Sequence, residues 1–249
     1  MSRPQQYATP GGPHSRLLTS GDWAATLFNM NADKELYRQI LAAGKRLAKK
    51  QLVAGSDGNI SVRLDSRRIL ITPSGLCLDD LDTDDLVTVD NDGQTIEGRY
   101  KPSSEIAAHL HFYRVRPDVN AVVHAHPPHV TVFVLTGVEP AWQSLPEMVV
   151  LVGPVALTPY APPGTNQLPE VLGPFTTDHN AFVLSNHGLI TLGQTLPQAQ
   201  NRMEIVEHAA HILYLSEALG TTQRLPEDEL KRLETLRRAL ETQPQAKRR

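Results

Sequence analysis

The segment His124-Ala125-His126 follows directly on the apolar run Ala121-Val122-Val123, and Asn186-His187-Gly188 follows a second apolar run, Ala181–Leu184. In an extended strand, residues i and i+2 share a face. The first two imidazoles can therefore meet one metal ion, as zinc sites require. His187, beside Gly188 at the end of its own strand, stands where a third ligand can arrive. Three neutral nitrogens plus an open position describe a catalytic metal site rather than a closed structural one. The competing reading is a pair of satisfied or solvent-facing histidines. A second group, Glu204, Glu207, His208 and His211, has i, i+4 steps on a helix pattern and could in principle share a metal. A polar helical face with acid–histidine pairs is the simpler account of it. His109 and His111 point to different sides of their helix, and His14, His129 and His179 carry no usable signal.

Three short segments have the character of anion cradles. Pro102-Ser103-Ser104-Glu105 opens a helix pattern, where free N–H groups and the helix dipole attract negative charge. Gly58-Asn59-Ile60-Ser61 and Thr72-Pro73-Ser74-Gly75 begin or end strands with small polar residues whose backbone can approach an oxyanion closely. Each alone could be a capped helix start or a turn, but three in one chain point to a phosphate. Glu105 stands out because a carboxylate beside a phosphate is repelled, so it needs another partner. A metal ion or a substrate proton would supply one. Complementing the helix dipole is its plainer role.

These residues need elements to hold them. Leu36, Ile40, Leu41 and Leu47 recur at helical spacing, after a Pro/Gly/Ser-rich stretch, 1–31, that reads as a loose arm. Strands are expected at Ile60–Leu64, Ile69–Thr72, Leu86–Val89, Ala121–Val123, Met148–Val152, Val155–Thr158 and Ala181–Leu184. Helices are expected from Ser103 to Pro117, from the prolines at 127–128, from Pro197 to about Leu219, and from Pro226 with a stripe of Leu230, Leu233, Leu236 and Leu240. Several connections are too short for parallel crossovers. The expected fold class is therefore α/β, with helices on both faces of a mixed, largely antiparallel sheet. Domain bounds follow as an arm at 1–31, a catalytic domain at 32–222, and a C-terminal amphipathic helix with a basic tail at 223–249.

The bulk numbers narrow the function. With 249 residues, 40% of them hydrophobic, the chain can bury one substantial core. A net charge of −3 with interspersed signs argues against a nucleic-acid partner. A single cysteine, Cys77, excludes an internal disulfide framework and fits a reducing compartment. No apolar run reaches the roughly 18 residues of a membrane span, and the first residues lack a secretory apolar block. A cytoplasmic protein is expected. The leucine-striped last helix and the N-terminal arm both need a docking surface, which points to an oligomer.

The order GNIS, TPSG, PSSE, PDVNAVVHAHPP and NHG, followed by a long helix, resembles the class II aldolase/adducin-head family, and the fuculose-1-phosphate aldolase group most. The resemblance runs from about Asp33 to Gly220. It implies a three-layer α/β/α fold, usually assembled as a cyclic tetramer. It also implies a Zn2+ site, with Mn2+ or Co2+ as other divalent candidates, held by His124, His126 and His187. Glu105 would complete the resting metal shell and act as acid/base, and Asn59, Ser74, Gly75, Ser103 and Ser104 would hold the substrate phosphate. The activity implied is cleavage of a ketose 1-phosphate to dihydroxyacetone phosphate and an aldehyde, through an enediolate stabilised by the metal charge. Two features depart from that group. The chain has no tyrosine after Tyr214 to serve the aldehyde side, and Glu147 resembles the base of methylthioribulose-1-phosphate dehydratases. Dehydration, 4-epimerisation and decarboxylation on the same site stay open, as does an adducin-like scaffold, which retention of all four metal-site residues disfavours.

Overall fold

The computed structural model describes residues 20–242. Contacts divide the chain into two compact units, Met1–Glu35 and Leu36–Arg249, and the fold that follows is that of the second. Helix α1 (Ser20–Lys49) begins inside the span read as an arm; residues 1–19 of that span, with His14, lie outside the described residues, as does the basic tail at 243–249.

Eight strands form one sheet: β1 (Asn59–Arg63), β2 (Ile69–Ile71), β3 (Val87–Val89), β4 (Thr95–Glu97), β5 (Ala121–Ala125), β6 (Val155–Thr158), β7 (Ala181–Leu184) and β8 (Gly188–Gly193). Their order is β4-β3-β2-β1-β5-β8-β7-β6. Every pairing is antiparallel except β6 with β7. That parallel pair is joined through α4 (Gln167–Leu172), which gives the long crossover such a pair requires. The sheet is therefore mixed and largely antiparallel, as expected.

Alternation along the strands sorts the core into two layers. Ile60, Val62, Ala121, Val123, Ala125, Ala181, Val183 and Leu189 pack toward α1, α3 (Pro128–Thr136) and α5 (Leu196–Leu219). Ile69, Ile71, Val122, Phe182, Leu184, Ile190 and Leu192 pack toward α2 (Ile106–Val115) and α4. The result is three layers, α/β/α. Helix α6 (Glu227–Thr242) packs against the segment Met148–Val152 and buries Leu233. Leu236 and Leu240 of its stripe remain largely exposed. No described helix is long and apolar enough to cross a membrane.

Met148–Val152 is not the strand its sequence suggests but a turn of π-helix, closed by Gly153 at φ 85°. A five-residue apolar run carries no period that separates a buried strand from a buried helical turn. Tertiary contacts decide it: Met148, Val149 and Val152 are buried, and the Arg202 guanidinium donates to the Leu151 carbonyl at 3.2 Å. Three elements went unread in the sequence: β4, α4 and β8. Regular helix α2 also starts at Ile106, three residues past Ser103, with Glu105 at its N-cap position.

Phe112 on α2 is fully buried and meets Phe182 of β7 with ring centroids 4.8 Å apart, fastening α2 to the sheet. Phe112→Ala is expected to cost about 3–5 kcal/mol of unfolding free energy in a urea titration. A loss below about 1 kcal/mol would mean that α2 is not held in this way.

Candidate metal centre

The sheet order explains how distant histidines meet. β1, β5 and β8 are neighbours and run alternately, so the start of β1, the end of β5 and the start of β8 share one edge. Asn59 lies opposite His124, and His124 opposite Ile190. His187 sits in the tight β7–β8 connection, where Asn186 takes the left-handed conformation at φ 55°, one that asparagine tolerates better than most residues. The His187 N–H donates to the Leu184 carbonyl at 3.1 Å, closing the turn.

Ligand atoms of His124, His126 and His187 all lie within 4.8 Å of one another. Nε2 of His124 and Nε2 of His126 are 3.1 Å apart. Two nitrogens on one tetrahedral zinc at ordinary bond lengths would be about 3.3 Å apart. The Glu105 carboxylate completes the group, with Oε2 at 3.2 Å from His124 Nε2 and Oε1 at 3.2 Å from His187 Nε2.

Neighbouring groups set the tautomers. His124 Nδ1 faces the Leu189 carbonyl at 3.1 Å, so it carries the hydrogen and leaves Nε2 bare. His126 Nδ1 faces Oδ2 of Asp57 at 3.3 Å and is oriented the same way. A carboxylate or carbonyl behind a ligating imidazole is the usual means of fixing its ring and raising its basicity. Burial pushes His124 down to about 3 and lowers His126, so both imidazoles are neutral at pH 7. Burial pulls the Glu105 carboxyl upward, whereas positive charge on its His124 and His187 side holds it down at about 2, so the ionised carboxylate calls for a cation there.

An ionised carboxylate oxygen and a bare imidazole nitrogen thus face each other lone pair to lone pair. Glu105 Oε2 has no hydrogen-bond partner, although it is buried. An orphaned buried acceptor is costly, and a cation placed among these atoms removes the cost. Three imidazole nitrogens and one carboxylate fit a divalent metal.

The anion-cradle segments converge on the same edge. The Ile60 N–H donates to Thr72 Oγ1 at 3.1 Å and the Thr72 N–H to the Ile60 carbonyl at 3.0 Å, which seats the 72–75 turn beside Asn59. The Ser103 N–H donates to the Thr72 carbonyl at 3.1 Å, and the Ser74 N–H to the Lys101 carbonyl at 3.0 Å, joining the Ser103-Ser104 turn to it. Asn59 and Ser103 are buried, whereas Ser74, Gly75 and Ser104 are exposed. Gly75 has φ 79° with open space where a Cβ would stand.

The other candidates have different tasks. Glu204 pairs with Arg46 at 2.5 Å and Lys50 at 3.0 Å. Glu207 accepts from the N–H groups of His129 and Val130, both at 3.1 Å, and so caps α3. His211 stacks on His129 with centroids 4.0 Å apart, and His208 is exposed. The helical acid–histidine group is therefore not a metal site. His111 meets Thr176 at 2.9 Å and His179 the Phe175 carbonyl at 3.0 Å. Glu147, half-buried at the start of the π-helical turn, makes no hydrogen bond or ion pair among the described residues.

Two contributors were missed in the sequence. Asp57 supports His126 across 69 positions of chain, a separation that leaves no local pattern. Gly188 is required for packing: a Cβ there would lie 2.5 Å from the Ala125 carbonyl oxygen and 2.7 Å from Cδ2 of His126. Gly188→Ala is expected to displace His126 and weaken divalent-metal binding, read with zinc as the probe ion in competition with a chromogenic chelator, on the order of 10–100-fold, as losses around metal ligands typically do. Unchanged affinity would show that the glycine is not what lets the ring approach.

The family profile described as Class II Aldolase and Adducin N-terminal domain matches residues 38–214. A 5-deoxy-D-ribulose 1-phosphate aldolase of Bacillus thuringiensis serovar kurstaki is 37% identical over 199 residues, covering 78% of this chain and 92% of that protein. A 3-oxo-tetronate 4-phosphate decarboxylase of Escherichia coli K12 is 33% identical over 187 residues, covering 74% and 88%. The solved structure of an L-fuculose 1-phosphate aldolase superposes with a TM-score of 0.75 at 32% identity, covering 81% of this chain and 95% of that one. With the profile spanning most of its length, the chain belongs to the class II aldolase and adducin N-terminal domain family.

Proposed function

We propose that the protein is a zinc-dependent aldolase that cleaves a ketose 1-phosphate into dihydroxyacetone phosphate and an aldehyde. The observation that carries this reading is the meeting, on one sheet edge, of three imidazoles and Glu105 with the turns at Asn59, Ser74-Gly75 and Ser103-Ser104. A bound divalent cation supplies Lewis-acid polarisation of the substrate carbonyl and its neighbouring hydroxyl.

The chain's own groups supply the rest. His124, His126 and His187 would hold the ion, the first two with their tautomers fixed from behind as described. Asn59, Ser74, Gly75, Ser103 and Ser104 would bind the phosphate and so fix the reacting carbons relative to Glu105. Glu105, ionised before substrate arrives, can take up at Oε2, the oxygen without a hydrogen-bond partner, the proton that the substrate's C4 hydroxyl loses as the C3–C4 bond breaks and that carbon becomes the aldehyde. It can then return the proton to the carbon of the cleaved fragment, yielding dihydroxyacetone phosphate. The phosphate turns favour this reading over a simple hydrolase, which needs no anion cradle.

Decarboxylation of a 3-oxo-tetronate 4-phosphate is the second reading, supported by the Escherichia coli relative of that name. Glu147 is kept as a candidate second acid/base on the strength of its sequence position alone. The reading includes a cytoplasmic location and a homo-oligomer, most simply a cyclic tetramer. Exposed Tyr214, Leu215 and Leu219 at the end of α5 supply apolar surface for assembly, and light scattering that found a fully active monomer would exclude it.

Zinc-loaded protein is expected to release dihydroxyacetone phosphate from 5-deoxyribulose 1-phosphate or fuculose 1-phosphate in an assay coupled to NADH oxidation. Carbon dioxide from 3-oxo-tetronate 4-phosphate, without dihydroxyacetone phosphate from either ketose, would replace the aldolase reading by the decarboxylase one. Glu105→Gln is expected to lower kcat about 10²–10⁴-fold while the three histidines retain zinc, checked by metal analysis of the purified variant.

A further inference from the structure

His109 belongs to none of the groups above, yet it is completely buried and hydrogen-bonded at both ring nitrogens. It lies at i+4 from Glu105 and at i−4 from Tyr113, so the three residues form one stripe along α2. Facing them is the stripe Asn59, Ser61 and Arg63 on β1. His109 Nε2 is 2.6 Å from Oδ1 of Asn59, His109 Nδ1 is 2.7 Å from Ser61 Oγ, and Ser61 Oγ is 2.7 Å from the Tyr113 hydroxyl. At the far end the Arg63 guanidinium lies over the Tyr113 ring, 4.8 Å from its centroid, and donates to the Tyr113 carbonyl at 2.8 Å.

The far end sets the direction of the chain. Tyr113 is buried, and its phenol oxygen lies 2.7 Å from Ser61 Oγ. Among the described residues, its own hydrogen has Ser61 Oγ as the acceptor. Ser61 must then give its hydrogen to His109 Nδ1. His109, neutral because burial pushes it down to about 4, must carry its hydrogen on Nε2 and donate to Oδ1 of Asn59. An amide has its oxygen and nitrogen on opposite sides, so Nδ2 of Asn59 turns away from His109. No other described group takes its hydrogens.

We propose that Tyr113, Ser61 and His109 form a one-way hydrogen-bond relay that locks the Asn59 amide with its N–H groups toward the substrate phosphate. The three are positioning residues: none touches substrate, and each acts through its neighbour. The proposal rests on the reading that Asn59 binds phosphate. It adds that the subsite presents a fixed donor to an anion and not an amide free to offer its oxygen. Reversal of the relay would set a carbonyl dipole against the phosphate.

The test separates the two claims. Imidazole 15N NMR of the zinc-loaded protein is expected to show His109 with its hydrogen on Nε2, and Tyr113→Phe, which removes the directing group, to bring up the Nδ1–H form. The same variant is expected to raise the dissociation constant for inorganic phosphate, and KM for the sugar phosphate, about 3- to 10-fold, with kcat changed less than twofold. A hydrogen on Nδ1 in the unaltered protein overturns the relay, and so does a Tyr113→Phe variant with an unchanged tautomer and unchanged phosphate affinity. Asn59→Asp, which puts a carboxylate where the amide stood, is expected to weaken inorganic phosphate binding by at least about tenfold. If it does not, the phosphate reading of Asn59 fails, while the His109 spectrum still judges the relay on its own.

Discussion

Gathering lone pairs around an empty point is uphill, and the centre of this protein does just that. The bare nitrogens of His124 and His126 stand 3.1 Å apart, and Glu105 Oε2 is buried beside them without a hydrogen bond. Separately, each group would do better in water. They are held together because each is anchored elsewhere: His124 by a ladder position in β5 and by the Leu189 carbonyl, His126 by Asp57, and Glu105 by its N-cap position on α2. A cation turns this arrangement from a cost into a gain. Stability borrowed from the core therefore maintains a site that only an ion satisfies, and ion binding in turn favours the folded state.

That dependence makes the alternation of β1, β5 and β8 the main architectural requirement. Because the three strands run alternately, the ends that carry Asn59, His124 and the His187 turn coincide. A parallel arrangement would have sent one of them to the opposite edge. Helix α2 adds Glu105 from the layer above, and Glu207 secures the start of α3 directly after the ligand strand. The layer that faces α1 and α5 carries its buried charges, Arg202 and Glu207, on α5, where they bond backbone groups, whereas the layer that faces α2 holds Asn59, Ser61, His109 and His124. The residues of the candidate site thus lie on the α2 side of the sheet and at its edge.

Much of this could be read from the chain itself, because its signals are local. Two histidines two residues apart on a strand share a face whatever else the protein does, and a third at the end of another apolar run can reach the same point. What escaped were signals carried by distant partners. Asp57 means nothing until His126 stands before it. Met148–Val152 has strand composition, but its carbonyl partner, Arg202, lies on another helix. The strand β8 was hidden because Gly188 and Gly193, poor strand formers, bound it. Gly188 is needed for ligand packing, and a Cβ at Gly193 would strike the backbone of Thr195 and Ala199 at 2.6 Å. His109 was weighed against its neighbour His111 in search of a metal pair, when its partners were on a strand 50 residues away.

The match between α2 and β1 has a geometric limit. Four residues of helix advance about 6 Å, and two residues of strand about 6.7 Å. Laid side by side, the stripes behave as the two scales of a vernier: they coincide at one rung and slip by about 0.7 Å at each further one. The contacts step along both scales, from His109 between Asn59 and Ser61 to Tyr113 between Ser61 and Arg63, and a much longer ladder would fall between its marks. A single residue inserted into α2 would rotate the whole helical scale by about 100° and detach every rung at once. This part of the chain should therefore accept changes of side chain far more readily than changes of length.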